Sequence, residues 1–123
     1  MTTPLPDDAM SSVDRIAPRY VFEARIKILF QRDSANLSVQ GWVRNLSESG
    51  LGAFVPGSLI EGETVTLEIP LPDCGTQVIP ASVVRALGTE YGLRFTALSA
   101  DQRHKIRTTL TGRPAIPYPI RDS

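Results

Sequence analysis

The sequence is poor in the residues from which most metal and catalytic sites are built. Its 123 residues contain one cysteine, Cys74, and one histidine, His104. A single cysteine excludes an internal disulfide, and the spaced Cys and His pairs of a zinc site are absent. One histidine and one cysteine also give no nucleophile beside a positioned base, so we expect no enzyme, no metal and no cofactor. A hydrolase built from carboxylates alone stays open, although no pair of acidic residues stands out.

The chain also lacks an excess of either charge. Lys and Arg number 13, and Asp and Glu also number 13, so the formal net charge is zero. A domain that binds DNA or RNA polymers by neutralising phosphates usually carries a basic excess, so we predict neither as a partner. No apolar run approaches the ~18 residues of a membrane span, so we predict no membrane insertion. The acidic N-terminus has no apolar signal core, which predicts a cytoplasmic protein.

Three regions differ in composition. Residues 1–14 are rich in Pro, Asp and Ser and contain few large apolar residues, so we expect a flexible N-terminal tail. Residues 15–111 carry the regular apolar pattern of a folded domain, and the length of the chain suits a single domain. Residues 112–123 contain three prolines, which predicts a Pro-rich extended C-terminal tail.

Six short segments of the body read as strands: residues 22–30, LSVQGWVRNL, SGLGAFVP, ETVTLEIPL, TQVIPASVVRAL and EYGLRF. From Phe22 to Phe30 every second residue is apolar, which is the period of a strand with one buried face. Val65, Leu67 and Ile69 repeat this pattern farther along the chain. The connections are too short for the crossover helices of a parallel sheet. The pattern therefore predicts an all-β fold, either an antiparallel barrel or a sandwich.

One helix is predicted after the last strand. Ser99 followed by Gln102 has the form of a capping box, which marks the start of a helix. Ile106 and Leu110 lie four residues apart and give the helix one apolar stripe, and Gly112 marks its end. We therefore expect a C-terminal α-helix that packs on the sheet through this stripe.

Two arginines precede the first predicted strand. Arg15 and Arg19 lie four residues apart, and Pro18 opposes a helix there because it favours extended geometry at Ala17. We therefore expect both arginines on a loop. There a guanidinium can bind phosphate bidentately, stack on a purine, or hydrogen-bond the O6 and N7 atoms of guanine. Taken alone, the pair is better explained as a solvated loop without a function, because two-residue patterns recur by chance.

A second polar motif lies between the second and third predicted strands. In the stretch RNLSESGLGAF, Asn45, Ser47 and Gly50 have the spacing NxSxxG. All three are common turn residues, so an ordinary hairpin turn accounts for them. The functional alternative is a polar rim, in which Asn45 and Ser47 offer hydrogen bonds and Gly50 lets the backbone approach a ligand.

Taken together, the arginine pair, the NxSxxG motif and the segment YGLRF before the helix resemble the PilZ domain family. The resemblance spans about residues 15–111. It implies a six-stranded antiparallel β-barrel with a C-terminal α-helix, which binds the bacterial second messenger cyclic di-GMP. By this resemblance Arg15 and Arg19 grip the phosphates and guanines of the messenger. Likewise, the resemblance implies that the NxSxxG residues form a second wall of the site: Asn45, Ser47 and Gly50.

The resemblance implies a non-catalytic receptor that regulates an unidentified downstream protein in motility, biofilm formation or polysaccharide production. Its N-terminal arginine loop would be loose without ligand and held in place with it. Asp14 stands where many relatives have a further arginine, so the resemblance leaves open whether one ligand or a stacked pair binds. Two other functions also stay open: a PilZ-like adaptor that binds no nucleotide, and a small barrel for single-stranded nucleic acid, for which aromatic residues are few.

Four more residues on outward strand faces can extend the surface: Trp42, Arg44, Arg85 and Arg94. Trp42 could stack on a base, but large aromatic side chains are mostly buried. We therefore expect Trp42 to lie under a neighbouring loop or helix.

Overall fold

The computed structural model describes residues 18–57 and 59–116. The strands pair antiparallel in the order β1-β2-β3-β6-β5-β4 and close into a barrel, which one helix follows. The predicted six-stranded antiparallel barrel with a C-terminal helix is therefore confirmed. Arg15 and the tail predicted at residues 1–14 lie outside the described residues. The elements are β1 (Tyr20–Arg32), β2 (Ala35–Leu46), β3 (Gly50–Phe54), β4 (Thr64–Leu71), β5 (Gly75–Leu87), β6 (Glu90–Phe95) and α1 (Ala100–Leu110).

Alternation along each strand builds the core. The predicted inward residues of β4, Val65, Leu67 and Ile69, are all buried, and Ile26 and Ile28 of β1 meet them inside the barrel. Burial of each such side chain stabilises the fold by about 1.5–3 kcal/mol. The polar residues between them face outward. Because apolar side chains fill the inside of the barrel, a binding site must lie on its outer wall.

The helix α1 begins and ends where its sequence predicts. Gln102 N donates to Ser99 Oγ at 3.0 Å and Ser99 N donates to Gln102 Oε1 at 3.2 Å, which is the predicted capping box. Gln102 Nε2 also donates to Val78 O, which ties the start of α1 to β5. Gly112 follows the helix with φ +83°, a conformation that favours glycine. No helix in the described part of the chain has both the length and the apolar character to cross a bilayer.

Three irregularities in strand register lie close together on the barrel. They fall between Val21 and Ala24 of β1, between Val43 and Asn45 of β2, and after Val83 of β5. In each, one strand has an extra residue against its partner, which is a β-bulge. A bulge bends its strand and redirects the side chains next to it. The bulges of β2 and β5 place Arg44 and Arg85 on the same region of the outer wall.

The segment after α1 returns to the start of β1. Of the tail predicted at residues 112–123, the structure describes residues 112–116. Val21 N donates to Pro114 O at 2.9 Å, and Ile116 N donates to Arg19 O at 2.8 Å. The backbone of Arg19 is therefore held on one side by this returning segment.

Candidate functional site

A row of four residues crosses the outer wall next to the bulges. Asn45 of β2 lies opposite Gly52 of β3, and Gly52 in turn lies opposite Gly92 of β6. Gly92 lies opposite Arg85 of β5. Because the two central residues carry no side chain, the wall is low between Asn45 and Arg85. The result is a groove of about 180 Å³, which we call the arginine groove; Arg44 and Glu90 also line it.

The lack of a side chain at Gly52 makes room for Asn45. A Cβ atom on Gly52 would lie 2.9 Å from Asn45 Nδ2 and 3.0 Å from Asn45 Oδ1. Any larger residue here must therefore push the Asn45 amide out of its position. A glycine inside a strand often marks such a close approach.

Gly50 is needed for a different contact. It is buried, and a Cβ atom there would lie 2.1 Å from Leu93 O of the neighbouring strand β6. The motif glycine thus lets β3 pair closely with β6. Gly50 lies against Leu93 and is not among the residues that line the arginine groove.

Ser47 holds the turn between β2 and β3. Its side chain is buried, and its Oγ accepts hydrogen bonds from the backbone N–H groups of Ser49 and Gly50 at 3.1 and 3.2 Å. Ser47 N donates to Gly50 O at 2.8 Å. Glu48 of the same turn forms an ion pair with Arg107 of α1 at 3.1 Å. The turn is therefore fixed from two sides, and it fixes the end of β2 that carries Asn45.

Arg19 connects the arginine pair to the NxSxxG motif. Its Nη1 donates to Asn45 Oδ1 at 2.7 Å. Partial desolvation, together with the nearby Arg85 cation, lowers the pKa of Arg19 from its usual value. Arginine stays protonated in proteins, so two guanidinium cations face this part of the wall. Within residues 18–57 and 59–116, neither of them forms an ion pair with a carboxylate.

This arrangement suits a ligand that carries negative charge. Two like charges held near each other repel, and an anion between them relieves that repulsion. Guanidinium groups bind phosphate in a bidentate manner with charge-assisted hydrogen bonds. Arg44 lines the same groove and adds a third cation. The described part of the chain has no group of three or more His, Cys, Asp or Glu side chains that could hold a metal ion.

Of the residues predicted from the sequence, Asn45 lines the groove. Arg19 is not among the lining residues, but it lies next to the groove because it donates to Asn45. The sequence analysis missed the two groove glycines, Gly52 and Gly92, and the rim residue Glu90. Glycines inside strand patterns were the signal available for the first two. The role of Glu90 depends on strand register, which one sequence does not display.

The expectation that Trp42 is buried is wrong. Trp42 is 39% exposed and lies opposite Phe54, which is 41% exposed, on the outer face of β2 and β3. Arg44 and Arg85 line the groove, whereas Arg94 lies opposite Gly50 in the β3–β6 register and is not among the residues that line it.

Comparisons with known proteins agree with this fold. The sequence model of the PilZ domain matches residues 14–112. The PilZ domain of CeSA from a cellulose synthesizing bacterium is 20% identical, with TM-score 0.58, over 76% of this chain and 95% of that one. The PilZ domain of YcgR from Escherichia coli, solved with c-di-GMP, is 16% identical, with TM-score 0.59, over 75% and 85%.

A third structure is the Bacillus subtilis inhibitor of motility MotI/DgrA, 20% identical with TM-score 0.56, over 76% of this chain and 48% of that one. This chain therefore spans about half the length of MotI/DgrA. At these identities the likeness shows the fold. A search of curated protein sequences found no match.

Proposed function

The chain belongs to the PilZ domain family, and from this membership we propose that its arginine groove binds the bacterial second messenger cyclic di-GMP. The observation that carries the proposal is the 2.7 Å hydrogen bond from Arg19 to Asn45, which joins the two predicted motifs at one place on the wall. A PilZ domain of the same fold, that of YcgR, was solved with c-di-GMP, which supports the proposal.

The chemistry of the ligand matches the groups in the groove. Cyclic di-GMP presents two phosphates and two guanines in one small ring. Desolvation and the nearby Arg85 cation lower the pKa of Arg19, and neither arginine has a carboxylate partner among the described residues, so a dianion bound next to both offsets their repulsion. Their guanidinium groups can bind phosphate or the O6 and N7 atoms of guanine. Arg44 offers the same groups from β2.

The remaining predicted residues have supporting roles in this proposal. Arg15 joins Arg19 on the ligand, and binding orders the segment that carries it, which provides a conformational switch. Ser47 and Gly50 act by holding the turn and the strand next to Asn45. The ordered segment then regulates a downstream protein in motility, biofilm formation or polysaccharide production. The role is that of a receptor in the cytoplasm, without catalysis.

Calorimetric titration with cyclic di-GMP tests this function. We expect saturable binding by the wild type, and a loss of affinity of about a hundredfold or more in Arg19→Ala. This variant removes charge-assisted hydrogen bonds that contribute about 1.5–3 kcal/mol each. Lys27→Ala is the control, because it removes a cation from the exposed face of β1, about 25 Å along the chain from Arg19.

Equal losses in Arg19→Ala and Lys27→Ala would contradict the site, because they would show only a general charge effect. No heat and no saturation with micromolar wild-type protein would contradict the function itself. That result would leave an adaptor that acts through protein contacts.

A further inference from the structure

We propose that Glu90 selects guanine at one end of the ligand, an inference that rests on the proposed function. Glu90 begins β6 and lines the arginine groove together with Arg44 and Arg85. It is exposed, and among the described residues it forms no ion pair with either arginine. Because the Glu90 carboxylate forms no ion pair with these arginines, its oxygens are available to accept hydrogen bonds from a ligand.

The position of Glu90 places it beside an aromatic surface. Glu90 lies directly opposite Phe54 of β3, and Phe54 lies directly opposite Trp42 of β2. Both aromatic side chains are about 40% exposed. Side chains at directly opposite positions have Cβ atoms about 4.5–5.5 Å apart. A purine that stacks on Phe54 therefore presents an edge to the Glu90 carboxylate.

Glu90 is also close to the floor of the arginine groove. It precedes Gly92 by two residues on β6, a step of about 7 Å along the strand. A ligand whose phosphates lie over the glycine floor, between Arg19 and Arg85, can therefore extend one base toward Phe54 and Glu90. A cyclic dinucleotide has this shape, with each base close to a phosphate of the ring.

The donor pattern of guanine matches a carboxylate. On its Watson–Crick edge guanine presents two neighbouring donors, N1–H and N2–H, and an ionised carboxylate has only acceptors. Adenine presents an unprotonated N1 at the same place, and this acceptor repels a carboxylate. Arginine only donates, so it can bind the O6 and N7 acceptors of guanine but cannot accept from the N1–H and N2–H donors. Glu90 thus accepts from N1–H and N2–H of one guanine, and the arginines bind the phosphates.

The inference predicts the opposite sign from simple electrostatics. If Glu90 were only a surface carboxylate near the groove, it would repel the two phosphates, and its removal would tighten the binding of every cyclic dinucleotide. If Glu90 reads guanine, its removal weakens the binding of cyclic di-GMP despite the more favourable charge. One measurement therefore separates the two roles.

The test is calorimetric titration of Glu90→Gln with cyclic di-GMP and with cyclic di-AMP. Glutamine keeps one acceptor but places an NH2 donor against the donors of guanine, so we expect about tenfold weaker binding of cyclic di-GMP. The same amide can donate to adenine N1 and accept from adenine N6, so cyclic di-AMP should bind more tightly. Glu68→Gln is the matched control, since Glu68 lies on β4, which does not line the groove.

Each outcome decides between the possibilities. Weaker cyclic di-GMP and tighter cyclic di-AMP binding by Glu90→Gln alone supports the inference. Unchanged or tighter cyclic di-GMP binding by this variant overturns it while the wild type still binds. No binding by the wild type overturns the proposed function, and the inference with it. Because Glu90 is exposed, the variant should melt like the wild type, which thermal unfolding checks.

Discussion

The two ends of β1 hold their arginines in opposite ways. At the C-terminal end, Arg32 donates from Nε and Nη2 to the two carboxylate oxygens of Glu63, both at 2.8 Å. This contact raises the pKa of Arg32. At the N-terminal end, Arg19 donates to the neutral amide of Asn45, and desolvation with the nearby Arg85 lowers its pKa. One cation is neutralised, and the other is held next to a second cation.

In the proposed function, this difference separates a cation that stabilises the fold from one that binds the ligand. The Arg32–Glu63 pair links β1 to the loop before β4, where the two strands no longer pair, and so it closes the barrel wall. Desolvation and the nearby Arg85 cation both disfavour the charged form of Arg19. A protein keeps such a contact where function requires it. Three variants test this contrast.

The largest effect is expected from closing the groove floor with Gly52→Val. The new side chain displaces the flexible Asn45 amide and fills the space between Asn45 and Arg85. We expect the affinity for cyclic di-GMP to fall about a hundredfold, because the Arg19 contact is lost and the ligand cannot reach the wall. Titration measures this loss of affinity. The free energy of unfolding, measured in urea, should change by much less than the free energy of binding.

Gly57→Ala is a matched control for Gly52→Val. A Cβ atom on Gly57 would also meet a side-chain atom at 2.9 Å, in this case Val39 Cγ2, and Gly57 does not line the groove. It should keep the affinity of the wild type. A similar loss in both variants would mean that the groove floor has no special role.

A smaller effect is expected from Arg85→Ala, which should lower the affinity for the ligand without lowering the stability of the fold. Removal of this cation should weaken the binding of cyclic di-GMP about tenfold, because a charge-assisted contact is lost. It should leave the free energy of unfolding unchanged or slightly raised, because the repulsion on Arg19 is also lost. Titration and urea unfolding of one preparation measure both. A lower stability together with unchanged affinity would show that Arg85 holds the fold instead.

The smallest effect is expected at the other end of β1, in Glu63→Gln, and only on stability. Hydrogen bonds from Arg32, and also from Ile60 N, hold the pKa of Glu63 below its usual 4.5. The unfolded chain therefore takes up the proton more readily than the folded chain. The contribution of Glu63 to the free energy of unfolding is present above the usual pKa and is lost as pH falls through the folded pKa.

Glu63→Gln should accordingly unfold more easily at neutral pH and lose less stability on acidification than the wild type. Urea unfolding at a series of pH values measures both effects, and cyclic di-GMP affinity should not change. If Glu63→Gln weakened the binding of cyclic di-GMP instead, Arg32 could no longer be assigned to stability alone and Arg19 to binding.

The fold was accessible from the sequence because each strand has one buried face. In β1 and β4 the alternation of apolar and polar residues reports directly which face is inside. The start of α1 was equally readable, because the capping box at Ser99 and Gln102 is a local signal. Local periodicity and local hydrogen bonds suffice for such elements.

The candidate site was accessible only in part, because it depends on contacts between distant segments. The motifs predicted Arg19 and Asn45, which lie 26 residues apart and form a hydrogen bond. Glu90 reaches the groove through the β3–β6 register, and Arg85 through a bulge in β5; one sequence displays neither. Trp42 was wrongly expected to be buried, because its type favours burial whereas its strand position faces solvent.

The returning segment after α1 affects how the domain should be trimmed. The family match ends at residue 112, yet Pro114 and Ile116 supply the backbone acceptor and donor that flank Arg19. A truncation after Arg113 would look harmless in an alignment. It would nevertheless remove both backbone hydrogen bonds that flank Arg19. A loss of affinity in the shortened protein would then come from the truncation and could be mistaken for evidence against the site.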